Sequence, residues 1–430
     1  MQFQKSLPAR TFFVIPALCV LLPAIVAVQP AQAKTKFKVL HTFGGSQKDG
    51  AGPGGQGPMA RDGAGNLYGT TGSGGERACG KYPCGTAFML DKNGKEMWVH
   101  TFERKNGLDP QAGLLLDPTG NLYGTTEDGG VTSCGNKIGC GTVFSLDGAG
   151  HETMLYKLKG GMSDGWAADS PVTRDSAGNS YGTTEYGGPA QAGVIFKVAP
   201  DGKETILHSF TAGSDGCTPI GVTLDGSGNL YGIAEEGGGG STCAEGAGVL
   251  FKLDTAGNNF TVLCTFGGSS GAYPDSPLLL DASGNLYGET AEGGSSAGCS
   301  DGCGTVFEFS ATGQETVLYS FCSLSNCEDG QGPGAGLVRD RAGNLYGITE
   351  FGGKYRNCNG DTCGVVFKLA ANGTETVLHT FTGGTDGALP AGGLAMDDFG
   401  NVYGTASEGG DANCHFNGIP GCGVVFKITP

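Results

Sequence analysis

Beyond residue 33 the sequence has no apolar run approaching 18 residues, so nothing there is long enough to cross a bilayer as a helix. Charge is sparse: 16 % of residues are charged, and 26 Lys and Arg face 42 Asp and Glu, a formal net charge of −16. That balance repels phosphate backbones and argues against nucleic acid as a partner. No Gly-X-Y period occurs, which removes collagen. No Cys-x-x-Cys pair with companion histidines occurs either, so no metal site is assigned from cysteine. Glycine, in contrast, is abundant, at 83 of 430 residues. Each interior glycine costs a helix about 1 kcal/mol relative to alanine, which excludes bundles and coiled coils. With 22 Phe, 13 Tyr and 2 Trp and so few charges, the chain is not a self-repelling disordered polymer. An all-β protein rich in turns remains.

Residues 1–33 read as a secretory signal. Lys5 and Arg10 form a positive start, Thr11 to Val28 an apolar core, and Ala31-Gln32-Ala33 a small-residue cleavage site. An extracytoplasmic location, secreted or periplasmic, is therefore expected after cleavage near Ala33. Pro430 directly follows the last apolar stretch, so no membrane anchor is expected in the mature chain.

The remainder is a repeat. Gly-Asn-x-Tyr-Gly begins at Gly65, Gly120, Gly178, Gly228, Gly284, Gly343 and Gly400. An apolar stretch ending in Asp precedes each copy, at Asp62, Asp117, Asp175, Asp225, Asp281, Asp340 and Asp397. A Gly-x-Val-Phe-Lys-Leu-like stretch follows, centred on Phe88, Phe144, Phe196, Phe251, Phe307, Phe367 and Phe426, and then one like Thr376-Val-Leu-His-Thr-Phe381. Each stretch is strand-like, and four short strands per repeat is the arithmetic of a propeller blade. The strands are A, B, C and D in chain order. A lone D strand, Phe37–Phe43, opens the mature chain, and the last repeat stops after its C strand. The sequence thus predicts a seven-bladed β-propeller of four-stranded blades over residues 34–430, the N-terminal strand closing the ring with the C-terminal repeat. The A–B and C–D turns are short, so the long B–C and D–A loops share the other face, where loop-borne function would lie.

In this order of motifs the chain resembles the GloVer-type "choice-of-anchor" tandem repeats of exported bacterial proteins. Its strand A to strand B signature, as in Leu337-Val338-Arg339-Asp340 before Gly343-Asn344-Leu345-Tyr346, is also similar to NHL-type propeller repeats. The resemblance implies an architecture and an exported location, and no reaction.

Six cysteine pairs are close in sequence: Cys79/Cys84, Cys134/Cys140, Cys299/Cys303, Cys322/Cys327, Cys358/Cys363 and Cys414/Cys422. With Cys217/Cys243 they are expected to form seven disulfides bracing the long-loop face. Cys264 is left as a buried packing thiol. Four histidines, His41, His100, His208 and His379, share one strand D position, which predicts packing. Two Gly-x-Ser-x-Gly matches (Gly267–Gly271, Gly294–Gly298) and the Gly52–Gly57 fingerprint lack a strand-turn-helix setting.

The strand-end Asp residues are read as turn-formers. Just after strand B come Glu127, Asp128, Glu185, Glu235, Glu236, Glu292, Glu350 and Glu408. Asp49, Asp164, Asp215, Asp329 and Asp386 open D–A turns on the same face. Such a ring can hold Ca²⁺ or act on a glycan, and can equally cap the Gly-Gly pairs that follow it. Trp166 is the aromatic placed to stack on a sugar. The reading that results is a monomeric, non-catalytic binding or interaction scaffold for a glycan or protein ligand, using Trp166, Glu127, Glu185, Glu235 and Glu350. The alternative is a carbohydrate-active hydrolase or lyase with loop-face carboxylates, and a third is a structural envelope protein. No cofactor other than Ca²⁺ is expected.

Overall fold

A computed structural model describes residues 35–45, 49–75, 84–134, 138–244, 246–296, 298–358, 361–416 and 419–430. The signal-like segment and Cys79 lie outside these residues. Thr35–Pro430 forms one compact unit. Among the described residues seven antiparallel sheets run A, B, C, D outward from the centre, the blades of a β-propeller. In blade 2 the strands are Leu115–Leu116, Leu122–Thr126, Thr142–Leu146 and Glu152–Lys157. Blade 7 comprises Gly392–Met396, Val402–Ala406 and Val424–Thr429, and its outer strand is Lys36–Thr42, with Lys36 opposite Thr429 and Thr42 opposite Val424.

The repeat motif is explained by packing. Strand-end Asp accepts the backbone N–H and side-chain amide of the Asn four residues on and the hydroxyl of the Tyr six residues on. For Asp340 the distances are 2.9, 2.7 and 3.1 Å. The same set recurs at Asp62, Asp117, Asp175, Asp225, Asp281 and Asp397, so these residues are structural. The Gly after each Tyr makes room for the Phe of strand C: a Cβ on Gly404 would lie 2.6 Å from Phe426 Cζ.

Blades meet through phenylalanine. In six of the seven D stretches the last residue is a Phe that packs against the strand C Phe of the next blade, as in Phe102–Phe144 at 4.9 Å and Phe381–Phe426 at 5.4 Å; in blade 2 that residue is Leu158. Such pairs add about 0.5–1.5 kcal/mol each beyond the area they bury. Six predicted disulfides are formed, Cys134–Cys140, Cys217–Cys243, Cys299–Cys303, Cys322–Cys327, Cys358–Cys363 and Cys414–Cys422. Cys84 is also disulfide-bonded.

Candidate functional site: an acidic well with a closed floor

From Pro53 to Asp62 the first repeat is two residues longer than the matching stretch Pro110–Asp117 of the second. The extra length crosses the centre of the propeller. Gln56 N–H donates to Gln111 O of blade 2 at 2.8 Å, Gly57 N–H to Ala335 O of blade 6 at 3.1 Å, and Met59 N–H to Gly393 O of blade 7 at 3.2 Å. Gly57 also sits against Pro171 of blade 3. The Gln56 side-chain amide reaches across the ring to Asp275 Oδ1 of blade 5, at 3.1 Å. The segment therefore floors the central opening and turns a channel into a well.

Two lobes of the well, of about 470 and 440 Å³, share Gln56 and Ala391. Asp275, Glu292, Asp301 and Glu350 line the first, and Glu127 and Asp169 the second. Among the described residues neither lobe is lined by Lys, Arg or His. The carboxylates repel one another across blades. Burial, with the charges of Asp109, Asp128, Asp169 and Glu185, pushes Glu127 up to about 8. Burial and then Glu236, Glu185 and Asp169 push Glu235 to about 7. Asp275, buried and facing Glu235, Asp169 and Glu350, reaches about 7, and Asp169, buried beside Glu185, about 6. Each of these groups is short of positive charge.

Of the predicted binding residues, Glu185 lies within electrostatic range of both Glu127 and Glu235, and Glu350 within range of Asp275. Trp166 stacks on Tyr186, ring centroids 4.4 Å apart, and packs over the Cys134–Cys140 bridge. A hydrogen bond to Glu185, then burial, pushes the Tyr186 hydroxyl up to about 12. The aromatic pair and the acidic wall are thus joined through Glu185. The deepest acids, Asp169 and Asp275, were not singled out from sequence; both open an Asp-Ser-Pro triplet found in no other repeat. Glu289 was missed as well. It stands where most blades have Thr or Ile, is fully buried, and accepts the Gly336 N–H at 3.1 Å. Burial raises its carboxyl far above the usual range.

The Asp-Gly turn residues point elsewhere. Asp164 and Asp329 are buried and accept the hydroxyls of Tyr156 and Tyr319 at 2.9 and 2.8 Å. Asp215 and Asp386 hold the strand D histidines His208 and His379 at 3.1 and 3.0 Å. The histidines therefore do more than pack: His100 likewise lies 3.1 Å from Glu152 of the next blade. His208 and His379 also stack on Phe260 and Phe37 of the following blade, both at 3.7 Å.

The Gloeobacter/Verrucomicrobia repeat family matches residues 130–323 and 239–416. The chain belongs to this repeat family. No curated protein matches it. Its fold is similar to an oligogalacturonate lyase in complex with manganese, at TM-score 0.52 and 14 % identity over 92 % of this chain and 96 % of that one. It is also similar to the extracellular domain of the one-component system BT4673 from B. thetaiotaomicron, at TM-score 0.52 and 10 % identity, covering 90 % of this chain and 39 % of that one. At such identities the likeness concerns the fold alone.

In this repeat-family chain Cys264 takes the strand D position that holds His or Tyr in the other blades. It is the free cysteine among the described residues, and it is half-buried where full burial was expected. Burial, with Glu315 nearby, pushes its thiol up to about 11. The thiolate is the nucleophile, so at pH 8 the folded protein is expected to alkylate at least tenfold more slowly than a free cysteine. Mass spectrometry after timed iodoacetamide exposure, native against denatured, checks this.

Proposed function

We propose that this protein is an exported binding propeller whose long-loop face captures an organic polycation, a polyamine or a lysine-rich peptide segment, in the central well. The observation that carries the reading is the convergence of Glu127, Asp169 and Asp275 on a blind well lined by no basic side chain among the described residues, with Glu235 in electrostatic range of Asp169 and Asp275. A bound cation supplies the charge these carboxyls lack. Groups of three or more potential ligand atoms within 4.8 Å of one another occur at two places among the described residues, both outside these lobe carboxylates. That spread suits an extended cation better than one Ca²⁺, which gathers 6–8 oxygens at one point. The Trp166–Tyr186 stack adjoins this acidic wall through Glu185. The disulfides fit an oxidising compartment, in keeping with export. No helix among the described residues is long and apolar enough to cross a membrane.

The test is calorimetric titration of the purified protein with spermine at pH 8. Saturable one-to-one binding is expected, weakened at least tenfold in Glu127→Gln/Asp275→Asn, with no response to a neutral oligosaccharide. Spermine binding that is absent, or unchanged in the double variant, would sink the reading. A carboxyl protonated near neutrality is also what a general acid needs for glycan cleavage, so products released from an oligosaccharide would reassign the well to catalysis.

A further inference from the structure

The seven blade junctions follow one plan at their outer rim. The fifth residue of strand D, or its counterpart, faces the acid of its own D–A turn and the first residue of strand D in the next blade. At six junctions one member of this set is replaced. Between blades 1 and 2 the turn acid is replaced by Asn106, whose side-chain amide bonds Glu152. Between blades 2 and 3, Tyr156 donates to Asp164 and Glu204, and between blades 5 and 6, Tyr319 donates to Asp329. Between blades 3 and 4 and between blades 6 and 7, an aromatic ring, Phe260 or Phe37, replaces the neighbouring acid and stacks on the histidine. Between blades 4 and 5 the histidine is Cys264.

Only between blades 7 and 1, among the described residues, do histidine and both acids coincide. His41 and Asp49 come from the chain's first strand and the turn after it, and Glu96 from the outer strand of blade 1 (Glu96–Thr101). One ligand atom of each lies within 4.8 Å of the other two. His41 Nε2 is shielded from solvent and has no hydrogen-bond partner; Asp49 Oδ1, at 3.6 Å, is too far away to be one. The backbone N–H groups of Gly44 and Gly50 fix the Asp49 carboxylate at 2.6 and 2.9 Å. An imidazole nitrogen left bare beside two carboxylates, one of them held in place, is a ligand set for a borderline divalent ion, which binds N and O at about 2.0–2.2 Å.

We propose that His41, Asp49 and Glu96 bind one divalent transition-metal ion of the zinc class, water completing its shell, and that the ion clamps the first strand of the chain to blade 1. The site is separate from the acidic well and independent of what the well binds. Imidazole, a poorer ligand for hard cations, sets its preference for zinc or cobalt over calcium.

The experiment uses the purified protein stripped with a chelator and then titrated with Zn²⁺ and, separately, Co²⁺. Wild type is expected to take up one tight ion per chain, to give a Co²⁺ ligand-field spectrum, and to lose a few degrees of Tm on chelation. Glu96→Gln and His41→Tyr should lose that ion, the spectrum and the chelator sensitivity, while His379→Tyr keeps all three. His41→Tyr copies the arrangement at the Tyr156 junction, and Glu96→Gln is isosteric, so one folded variant suffices. Overturning results are no tight Zn²⁺ uptake by wild type, or uptake and chelator sensitivity unchanged in Glu96→Gln, which would make the cluster a simple ion pair.

Discussion

Gly393→Ala is expected to unfold the propeller or to cost more than about 4 kcal/mol, the range reserved for severe core disruption. A Cβ at Gly393 would lie 2.2 Å from Gly57 O and 2.5 Å from Ala335 O. Both obstacles are backbone: Gly57 belongs to the segment that floors the well, and Ala335 of blade 6 is tied to it, since Gly57 N–H bonds Ala335 O, while Met59 N–H bonds Gly393 O. Neither carbonyl can rotate aside as a side chain would, so the methyl must push three blades apart. Gly148→Ala, where a Cβ meets nothing within 4 Å, should change stability by less than about 0.5 kcal/mol. Urea unfolding of the two variants separates the cases. Wild-type stability in Gly393→Ala would mean that the centre is looser than described.

Asp340→Ala should cost about 2–4 kcal/mol, because it strands the hydroxyl of buried Tyr346 and the N–H groups of Ala342 and Asn344. The same chemistry sets the acid limit of the fold. At all seven positions burial alone would raise the carboxyl, but the Asn and Tyr hydrogen bonds and the backbone N–H bonds outweigh it, and Asp117 falls to about 2. A carboxylate held low in the folded state stabilises fully above its unfolded pKa, near 4, and loses that contribution as pH falls through the folded value. Stability should therefore drop between about pH 4 and pH 2, and the drop should be shallower in Asp340→Ala. Acid titration followed by far-UV circular dichroism checks it; equal slopes in the two proteins would contradict it.

The seven Asp-Asn-Tyr turns were legible in the sequence because each is closed within six residues. The blades were legible because their motif recurs, and six cysteine pairs because most partners are close in the chain. The well was half legible. Glu127, Glu185, Glu235 and Glu350 share one repeat position at the end of strand B, whereas Asp169 and Asp275 belong to D–A segments of unequal length. Gln56 acquires its meaning only across the ring, through a partner 219 residues away. The histidines show the same limit. Their shared position was visible, but their acids come from a turn beyond the strand or from the neighbouring blade, and packing was the reading left. Trp166 stood out in the sequence, and its stacking partner Tyr186 is set by the fold.

The central claim is that the well's own raised carboxyls meet the cation, rather than the protein's general negative charge. Spermine binding measured by calorimetry at pH 7, in two buffers of different ionisation enthalpy, tests this most directly. Glu127, Glu235 and Asp275 are held to between about 7 and 8, so a cation that settles among them must expel protons. Net proton release on binding is expected, with an affinity that rises from pH 6 to pH 8. Binding with no proton released, equally tight at pH 6 and pH 8, would place the cation on the outer surface and contradict it.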